Sequence, residues 1–184
     1  VRDGIKCVER MRLPNGAYVY GTYAQYRPQA PYNMVKGSLG RSQPCNLALH
    51  EWNQEISIDQ MARGVEELRD HHHYIEIGRG RKRPHEAYYS TSGYYYFYGH
   101  YYAGSVIELL DEPRKTALAN WLQDLMIEVQ DPAGSWFDYP LYGYGHAYGT
   151  AYGLLTLESC RRALGTTKPE VLTSAHPVRD GEGN

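Results

Sequence analysis

Long apolar runs, paired cysteines and a large excess of either charge are all missing from this 184-residue chain. No stretch of 18 apolar residues occurs, so no transmembrane helix is predicted. The three cysteines Cys7, Cys45 and Cys160 are widely spaced and form no CxxC pair, which argues against a disulfide framework or a structural zinc site. A net charge of −2 is not that of a nucleic-acid binder.

Targeting signals are also missing, and no cellular compartment is predicted. The chain does not begin with Met, and its first residues, VRDGIKCVERM, read as the interior of a helix. We therefore expect a truncated or processed product. Phenylalanine is scarce as well, with 2 residues against 19 tyrosines and 3 tryptophans. The chain thus prefers aromatic rings that keep a hydroxyl group at one end.

Helical patterns occur in five segments. Residues 57–70 and 113–129 are apolar on one side, as in helices packed on one face, and Ser57 with Gln60 forms a predicted capping box. Residues 42–53, 92–110 and 146–163 are apolar or aromatic nearly all round, which indicates helices buried on both sides. The sequence therefore predicts an all-α domain over residues 1–164, followed by an irregular tail over 165–184.

The order of the segments indicates a repeated unit. A Tyr-Gly-His sequence occurs at Tyr98 and again at Tyr144, 46 residues later, each time ahead of an apolar helical tail. Alternation of buried and one-sided helices predicts an inner and an outer layer, as in an α/α toroid. The chain is too short for a full ring, so a second chain, a missing N-terminal segment or self-association is expected to complete it.

The stretch QDPAGSWFDYP contains Gln130, Gly134 and Trp136 in the pattern Q-x3-G-x-W, and NGAYVY holds a degenerate copy with Gly16 and Tyr18. This pattern resembles the repeat of the terpenoid cyclase and protein prenyltransferase superfamily. Over about residues 10–163 the chain is most similar to bacterial, planctomycete-type prenyltransferase/squalene-oxidase-repeat proteins, a group without an established activity. The resemblance implies an α/α toroid.

The chemistries of that superfamily do not transfer to this chain. Its class II cyclases use a DxDD acid and its thioester relatives a GCGEQ element, and neither occurs here. Its prenyltransferases hold zinc through Asp, Cys and His; Cys45 matches the Cys, but Gln43 and Gly149 stand at the other two positions. One thiolate is not a tetrahedral site, so no metal or other cofactor is predicted. Gln43 and Cys45 remain candidates for ligand contact.

His100 and His146 are the candidate general bases, because both precede apolar tails of predicted inner helices. Tyr148 is the candidate acid beside His146. Asp138 places a carboxylate at the start of the last inner helix. The alternative for all of them is structural: each histidine could bridge to its own helix backbone, and Asp138 could cap a helix. His146 is preferred to His100, since only the second copy follows the Gly-Trp-Asp segment.

Ligand contact is predicted for the tyrosines of the two inner helices, since phenol rings suit sugars, polyprenyl chains and carbocations alike: Tyr98, Tyr102, Tyr144 and Tyr152. Close-packed helices that use Tyr in place of Phe are the equal alternative. His85 and Glu86, beside Arg83, are predicted to bind a carboxylated ligand or to form a loop ion network. The HHHY and RGRKR runs, which begin at His71 and Arg79, read as solvated segments, and no nucleic-acid partner is predicted.

Three functions agree with these features. The first is a toroid module that binds a partner or an apolar or amphipathic ligand, such as a polyprenyl chain or a glycan, in a tyrosine-lined cavity. The second is a cyclase-like or prenyl-diphosphate enzyme with non-standard catalytic residues. The third is a polysaccharide lyase-like enzyme in which Tyr and His move protons beside a uronate.

Overall fold

The computed structural model of the chain describes residues 1–21, 27–53, 55–140 and 145–166. Within these ranges the chain is all-α, as predicted, and its single β-type pairing is an isolated antiparallel bridge between Arg12 and Tyr18. Short 3-10 turns precede α2 and α5. The helices are α1 Arg2–Met11, α2 Val35–Asn53, α3 Ile58–Asp70, α4 His73–Glu76, α5 Tyr96–Glu108, α6 Arg114–Glu128 and α7 Gly145–Ala163.

Helix α3 begins as its sequence predicts. The Ser57 hydroxyl accepts the Gln60 backbone N–H at 3.2 Å, and the Gln60 side-chain oxygen accepts the Ser57 N–H at 2.9 Å. This reciprocal capping box satisfies two of the backbone donors that every helix start exposes. The helix buries one face, which consists of Met61, Ala62, Val65 and Leu68.

Helices α2, α5 and α7 form a row in which α5 packs between the other two. Glycines allow the close approach: a Cβ on Gly99 would lie 2.6 Å from the Gly40 Cα, and one on Gly104 would lie 3.0 Å from the Ser159 Cβ. Helix α3 packs on α2 and α5, α6 packs on α5 and α7, and α1 lies on α2. The predicted alternation of fully buried and one-sided helices therefore corresponds to two packed layers of helices. The closure of these layers into a ring stays a prediction.

The starts of the row helices differ from the prediction. Helix α2 begins at Val35, not at residue 42, and includes Pro44 in its interior. A helix that is apolar nearly all round has no single apolar face whose first residue marks where the helix starts. Helix α5 begins at Tyr96, after a 3-10 turn over Gly93–Tyr95. Residues 167–184, most of the predicted tail, lie outside the described residues.

One turn occurs twice in the fold. The Gly16 N–H donates to the Leu13 carbonyl at 3.0 Å, and the Gly134 N–H donates to the Asp131 carbonyl at 2.9 Å. Both glycines have positive φ values, +84° and +85°, which only glycine adopts without strain. The degenerate copy around Gly16 therefore has the backbone of the full Q-x3-G-x-W element.

The aromatic residue after each turn is anchored in the same way. The Tyr18 N–H donates to the Ser38 hydroxyl at 3.1 Å, and the Trp136 N–H donates to the Thr150 hydroxyl at 3.2 Å. Ser38 lies in α2 and Thr150 in α7, so each turn is tied to the row helix that follows it. These two turns, and not the two Tyr-Gly-His sequences, are the structurally equivalent units.

Trp136 explains why the motif contains tryptophan. Its indole N–H donates to the Met126 carbonyl at 2.8 Å, and its ring lies against Gly153, where an added Cβ would be 2.7 Å from the ring. The Gln130 side chain donates to the Gly134 carbonyl at 2.9 Å and closes the turn. The motif thus joins the end of α6 to the middle of α7.

Candidate functional site

The predicted ligand tyrosines of α5 and α7 lie together. The ring centroids of Tyr98 and Tyr102 are 5.0 Å apart, those of Tyr98 and Tyr152 are 6.2 Å apart, and those of Tyr148 and Tyr152 are 4.8 Å apart. All four side chains are half-buried, and their rings contact each other edge to face. Tyr144 lies outside the described residues.

The aromatic surface continues toward α2. Tyr95 contacts Tyr98 with ring centroids 6.5 Å apart, and Tyr20 contacts Tyr95 at 6.4 Å. The Tyr148 hydroxyl donates to the Tyr94 carbonyl at 3.2 Å, which connects α7 to the same surface. We call this surface the tyrosine face; its members are Tyr20, Tyr94, Tyr95, Tyr98, Tyr101, Tyr102, Tyr148 and Tyr152.

A pocket of about 270 Å³ lies at the α2 end of the tyrosine face, and we call it the Arg41 pocket. Phenol rings, the side chains of Leu39 and Ile75, and the backbone of two glycines form most of its walls. Its polar side chains include a guanidinium and an imidazole. The lining residues are Tyr20, Tyr32, Gly37, Leu39, Gly40, Arg41, Ile75, His85, Ser90, Thr91 and Tyr95.

Arg41 is a cation without a carboxylate partner in the described part of the chain. Its guanidinium donates to the carbonyls of Tyr18 at 2.9 Å and Gly37 at 2.7 Å, and to that of Tyr32. Burial lowers the pKa of the guanidinium. Desolvated cations are usually paired with an acid, yet no aspartate or glutamate occurs between Glu9 and Glu51. The sequence analysis missed Arg41; that acid-free stretch was the available signal.

His85 lies on the opposite wall with a defined tautomer. Its Nδ1 is 2.9 Å from the Ser90 carbonyl and therefore carries the proton, so Nε2 accepts the Tyr94 hydroxyl at 3.0 Å. His85, Tyr89 and Ser90 have φ values of +63°, +61° and +53°. Non-glycine residues adopt such values only where the surrounding structure enforces them, and strain of this kind clusters at functional sites. Glu86 instead pairs with Arg83 at 3.4 Å on the exposed loop.

The pKa of the Tyr20 phenol lies below its usual value. A hydrogen bond from the hydroxyl of Tyr95 lowers its pKa, and the nearby Arg41 charge lowers it further. The Arg41 guanidinium carbon lies 5.6 Å from the centroid of the Tyr20 ring. Burial raises the pKa values of Tyr94 and Tyr95, so these two stay protonated and act as donors. The pocket therefore combines a cation, an acidified phenol and an imidazole.

His100 does not lie on the tyrosine face. It is fully buried, its Nδ1 is 2.6 Å from the Tyr96 carbonyl, and its ring contacts His72 and Trp121 on the side of the second layer. Burial lowers its pKa to about 3. This contact with its own helix backbone is the structural role weighed in the sequence analysis.

His146 lies outside the pocket as well. Its side chain is 56% exposed, its ring stacks on Phe137 at 4.3 Å, and its Nδ1 is 3.1 Å from the Ser135 hydroxyl. Because that hydroxyl donates to Asp131, the three polar residues do not form a serine nucleophile activated by histidine. His146 is the second residue of α7, whereas His100 is the fifth of α5, so equal places in the Tyr-Gly-His sequence are not equal places in the fold.

Asp138 caps α5, not the helix that follows it in sequence. Its carboxylate accepts the backbone N–H of Phe97 in the first turn of α5, and only 1% of the residue is exposed. Burial raises its pKa to about 6, against the opposing effects of that hydrogen bond and of Arg79. Asp138 is thus a buried carboxylate at a helix start, where backbone donors and the helix dipole favour negative charge.

Gln43 and Cys45, the two residues of α2 at positions that match zinc ligands of the prenyltransferases, lie in different surroundings. Gln43 is fully buried and faces α3, where its amide donates to the Gly64 carbonyl at 2.9 Å. Cys45 is half-buried and lies near Arg41 and Tyr98; burial raises the pKa of its thiol to about 11. The described residues bring no three metal-binding side chains of the His, Cys, Asp and Glu types together, and Cys7, Cys45 and Cys160 are free thiols.

Comparisons of the chain with protein-family models, curated proteins and solved structures found no match. Among the described helices, none combines the length and apolar character needed to cross a membrane. The assignment of the candidate site therefore depends on its geometry alone.

Proposed function

We propose that the chain is a ligand-binding module whose tyrosine face and Arg41 pocket together hold an amphipathic anion. The observation that carries the proposal is Arg41, a desolvated guanidinium that donates to backbone carbonyls and has no acid in its segment. A planar guanidinium binds carboxylate and phosphate groups through two parallel hydrogen bonds. The anionic end of the ligand is placed at Arg41.

The rest of the ligand is placed on the tyrosine face. Phenol rings offer apolar area at low cost in conformational entropy, and their hydroxyls remain able to hydrogen-bond. A polyprenyl phosphate and an acidic glycan share the required chemistry, which is an anionic group joined to a chain or ring that stacks on aromatic side chains.

Calorimetric titration tests this proposal with matched probes: trigalacturonate against its methyl ester, and farnesyl phosphate against farnesol. We expect one charged probe to bind at least tenfold more tightly than its uncharged counterpart. Arg41→Gln should remove that preference, and Tyr152→Ala should weaken both members of the pair. Tyr88→Phe is the control, because Tyr88 is an exposed tyrosine outside both the pocket and the tyrosine face. Equal binding of charged and uncharged probes would contradict the proposal.

A second function, lyase-like proton transfer on a uronate, is favoured by the pairing of Tyr20 with His85. With the uronate carboxylate on Arg41, the Tyr20 oxygen would take the proton beside the carboxylate. The electron pair forms the C4–C5 double bond, the glycosidic C4–O bond breaks, and the Tyr94 hydroxyl gives its proton to the leaving oxygen. Tyr94 then regains a proton from solvent, and Tyr20 releases the proton it has taken to solvent. The lowered pKa of Tyr20 supports its role as the base.

Absorbance of the unsaturated product, measured on a panel of uronate polymers, tests the lyase-like function. Tyr20→Phe should abolish the absorbance, whereas His146→Ala should retain it because His146 lies outside the pocket. If no polymer yields unsaturated product, the binding function alone is retained. The cyclase-like and prenyl-diphosphate alternatives find no cluster of acids or metal-binding side chains to support them among the described residues.

We also propose the α/α-toroid arrangement, with a second copy of this chain against α7. Leu154 and Leu155 are 56% and 47% exposed and form one stripe with the exposed Ala147 and Ala151. In a ring, the next inner helix would cover this stripe. Native mass spectrometry should show an oligomer, which Leu154→Arg breaks; Ile127→Arg, at an equally exposed position on α6, is the matched control. A monomer at all concentrations would contradict this proposal.

A further inference from the structure

Exposed cations occur in the loop that follows α4. The loop contains Arg81, Lys82 and Arg83, all three of which are exposed, and we call these residues the basic loop. Arg83 pairs with the exposed Glu86 at 3.4 Å. Arg81 donates from Nε to a backbone carbonyl at 2.7 Å, which leaves the other guanidinium N–H groups available. Within the described ranges, neither Arg81 nor Lys82 forms an ion pair with a carboxylate, so two cations of the basic loop are uncommitted.

The backbone of the basic loop is held on both sides. Gly80, just before the loop, donates its N–H to the Asp138 carbonyl at 2.8 Å, and the Lys82 carbonyl lies 3.5 Å from the Tyr139 hydroxyl. After the loop, the His85 N–H donates to a buried serine hydroxyl at 3.0 Å. Because the backbone is fixed at these three points, a ligand can meet the cations without the entropic cost of ordering the loop.

The basic loop lies at the rim of the Arg41 pocket. The Tyr94 ring contacts the His85 imidazole, which lines the pocket, with ring centroids 6.0 Å apart. On another side, Tyr94 contacts the Tyr139 ring at 5.8 Å. His85 follows Lys82 by three residues, a stretch that spans at most about 11 Å. Tyr94 therefore connects the pocket, the tyrosine face and the basic loop.

The size of the Arg41 pocket limits what it can hold. Its volume of about 270 Å³ lies below the common range for ligand pockets, roughly 300–1,000 Å³. The remainder of a long ligand must therefore cross the rim. A lipid with one anionic group would place its charge at Arg41 and leave the basic loop unused. A polymer with a carboxylate on every unit would also place charges at the rim.

We infer that the ligand of the Arg41 pocket is an acidic glycan. One uronate carboxylate lies on Arg41, the chain crosses the rim over Tyr94, and the carboxylates of the following units pair with Arg81 and Lys82. This inference rests on the function proposed above and selects the glycan from the two ligand types that share its chemistry. The pairs at the loop join exposed charges, so their attraction weakens as salt is added.

Calorimetry on the whole chain with trigalacturonate, its methyl ester and farnesyl phosphate tests the inference. Arg81→Gln/Lys82→Gln should weaken trigalacturonate binding at least fivefold and should change the binding of the other two probes by less than twofold. Arg2→Gln/Lys6→Gln is the matched control, because it removes the same charge from exposed positions of α1 and should leave all three affinities unchanged. Undiminished trigalacturonate binding by the loop variant would overturn the inference.

Salt supplies a second measurement. Lowering the ionic strength from about 0.15 M to about 0.01 M lengthens the Debye length from about 8 Å to about 30 Å. This change should tighten trigalacturonate binding more in the wild type than in the loop variant, and equal gains would overturn the inference.

Two comparisons between probes separate the remaining outcomes. A thymidine oligonucleotide with three phosphates, matched to trigalacturonate in the number of anionic groups, should bind more weakly; tighter, loop-dependent binding of the oligonucleotide would replace the glycan by a nucleic acid. Binding of farnesyl phosphate without binding of trigalacturonate would overturn this inference alone. Failure of every charged probe to bind would overturn the proposed function as well.

Discussion

Asp138→Asn should make the protein relatively more stable as the pH rises. Asp138 has a folded-state pKa of about 6, against 3.8 for the free side chain. Between these two values the folded state holds a proton that the unfolded state has released, so the stability of the wild type falls as the pH rises through this window. Asparagine cannot ionise, so its substitution for Asp138 removes this fall in stability.

The size of the effect follows from the difference between the two pKa values. A difference of 6 − 3.8, or 2.2 units, corresponds to about 3 kcal/mol between pH 3 and pH 8. Asparagine also places an amide nitrogen beside the backbone donors, which adds a constant cost. The test is therefore the change in the stability difference between variant and wild type across the pH range, not its value at one pH.

Urea unfolding of both proteins from pH 3 to pH 8 measures this change. Asp131→Asn is the control with the opposite sign, because the hydroxyl of Ser135 lowers the pKa of Asp131. That variant should lose stability relative to the wild type as the pH rises through the lowered pKa. If Asp138→Asn also lost stability with rising pH, Arg79 would have to hold Asp138 as a stable ion pair, and the reasoning from burial would be wrong.

Three further predictions concern packing, capping and acid stability. Gly153→Ala should lower the free energy of unfolding by about 1–3 kcal/mol, since its Cβ would be 2.7 Å from the Trp136 ring, while Gly4→Ala should not. Ser57→Ala should cost about 1 kcal/mol by removing the cap of α3; a measurement of no loss would contradict its role. In Asp138→Asn, stability should fall from pH 6.5 to about pH 3, because unfolded His100 binds a proton there that the buried ring does not. His100→Asn in that background should flatten the decline.

Local signals predicted the elements of the fold, and they failed where a helix is buried all round. The capping box of Ser57 and Gln60 and the one-sided pattern after it are properties of one turn of chain, so α3 was predicted within a residue. Helix α2 has no polar face, and its start at Val35 depends on contacts with the turn before it. Ligand contact was predicted for tyrosines of α5 and α7 from the chemistry of the phenol ring and from their place in the inner helices, and this contact stays a prediction.

The individual site residues were harder to predict. His100 and His146 share a tripeptide, yet one lies inside α5 and the other opens α7, and a tripeptide does not specify helix register. Asp138 was expected to cap the helix after it but caps α5, because the fold brings its carboxylate to the N–H of Phe97, 41 residues earlier in sequence. Long-range proximity of this kind is not encoded in local spacing.

By itself, the sequence determined the all-helical class, the cap of α3, the wealth of tyrosine and the lack of acids between Glu9 and Glu51, because each depends on composition or on residues within one helical turn. Only the tertiary structure decided that Arg41 lies at the end of the tyrosine face, that His85 and Tyr20 join it, and that Gln43 faces α3. Burial and pairing arise from segments far apart in sequence, and these alone convert a common arginine into a desolvated cation without a carboxylate partner in the described part of the chain.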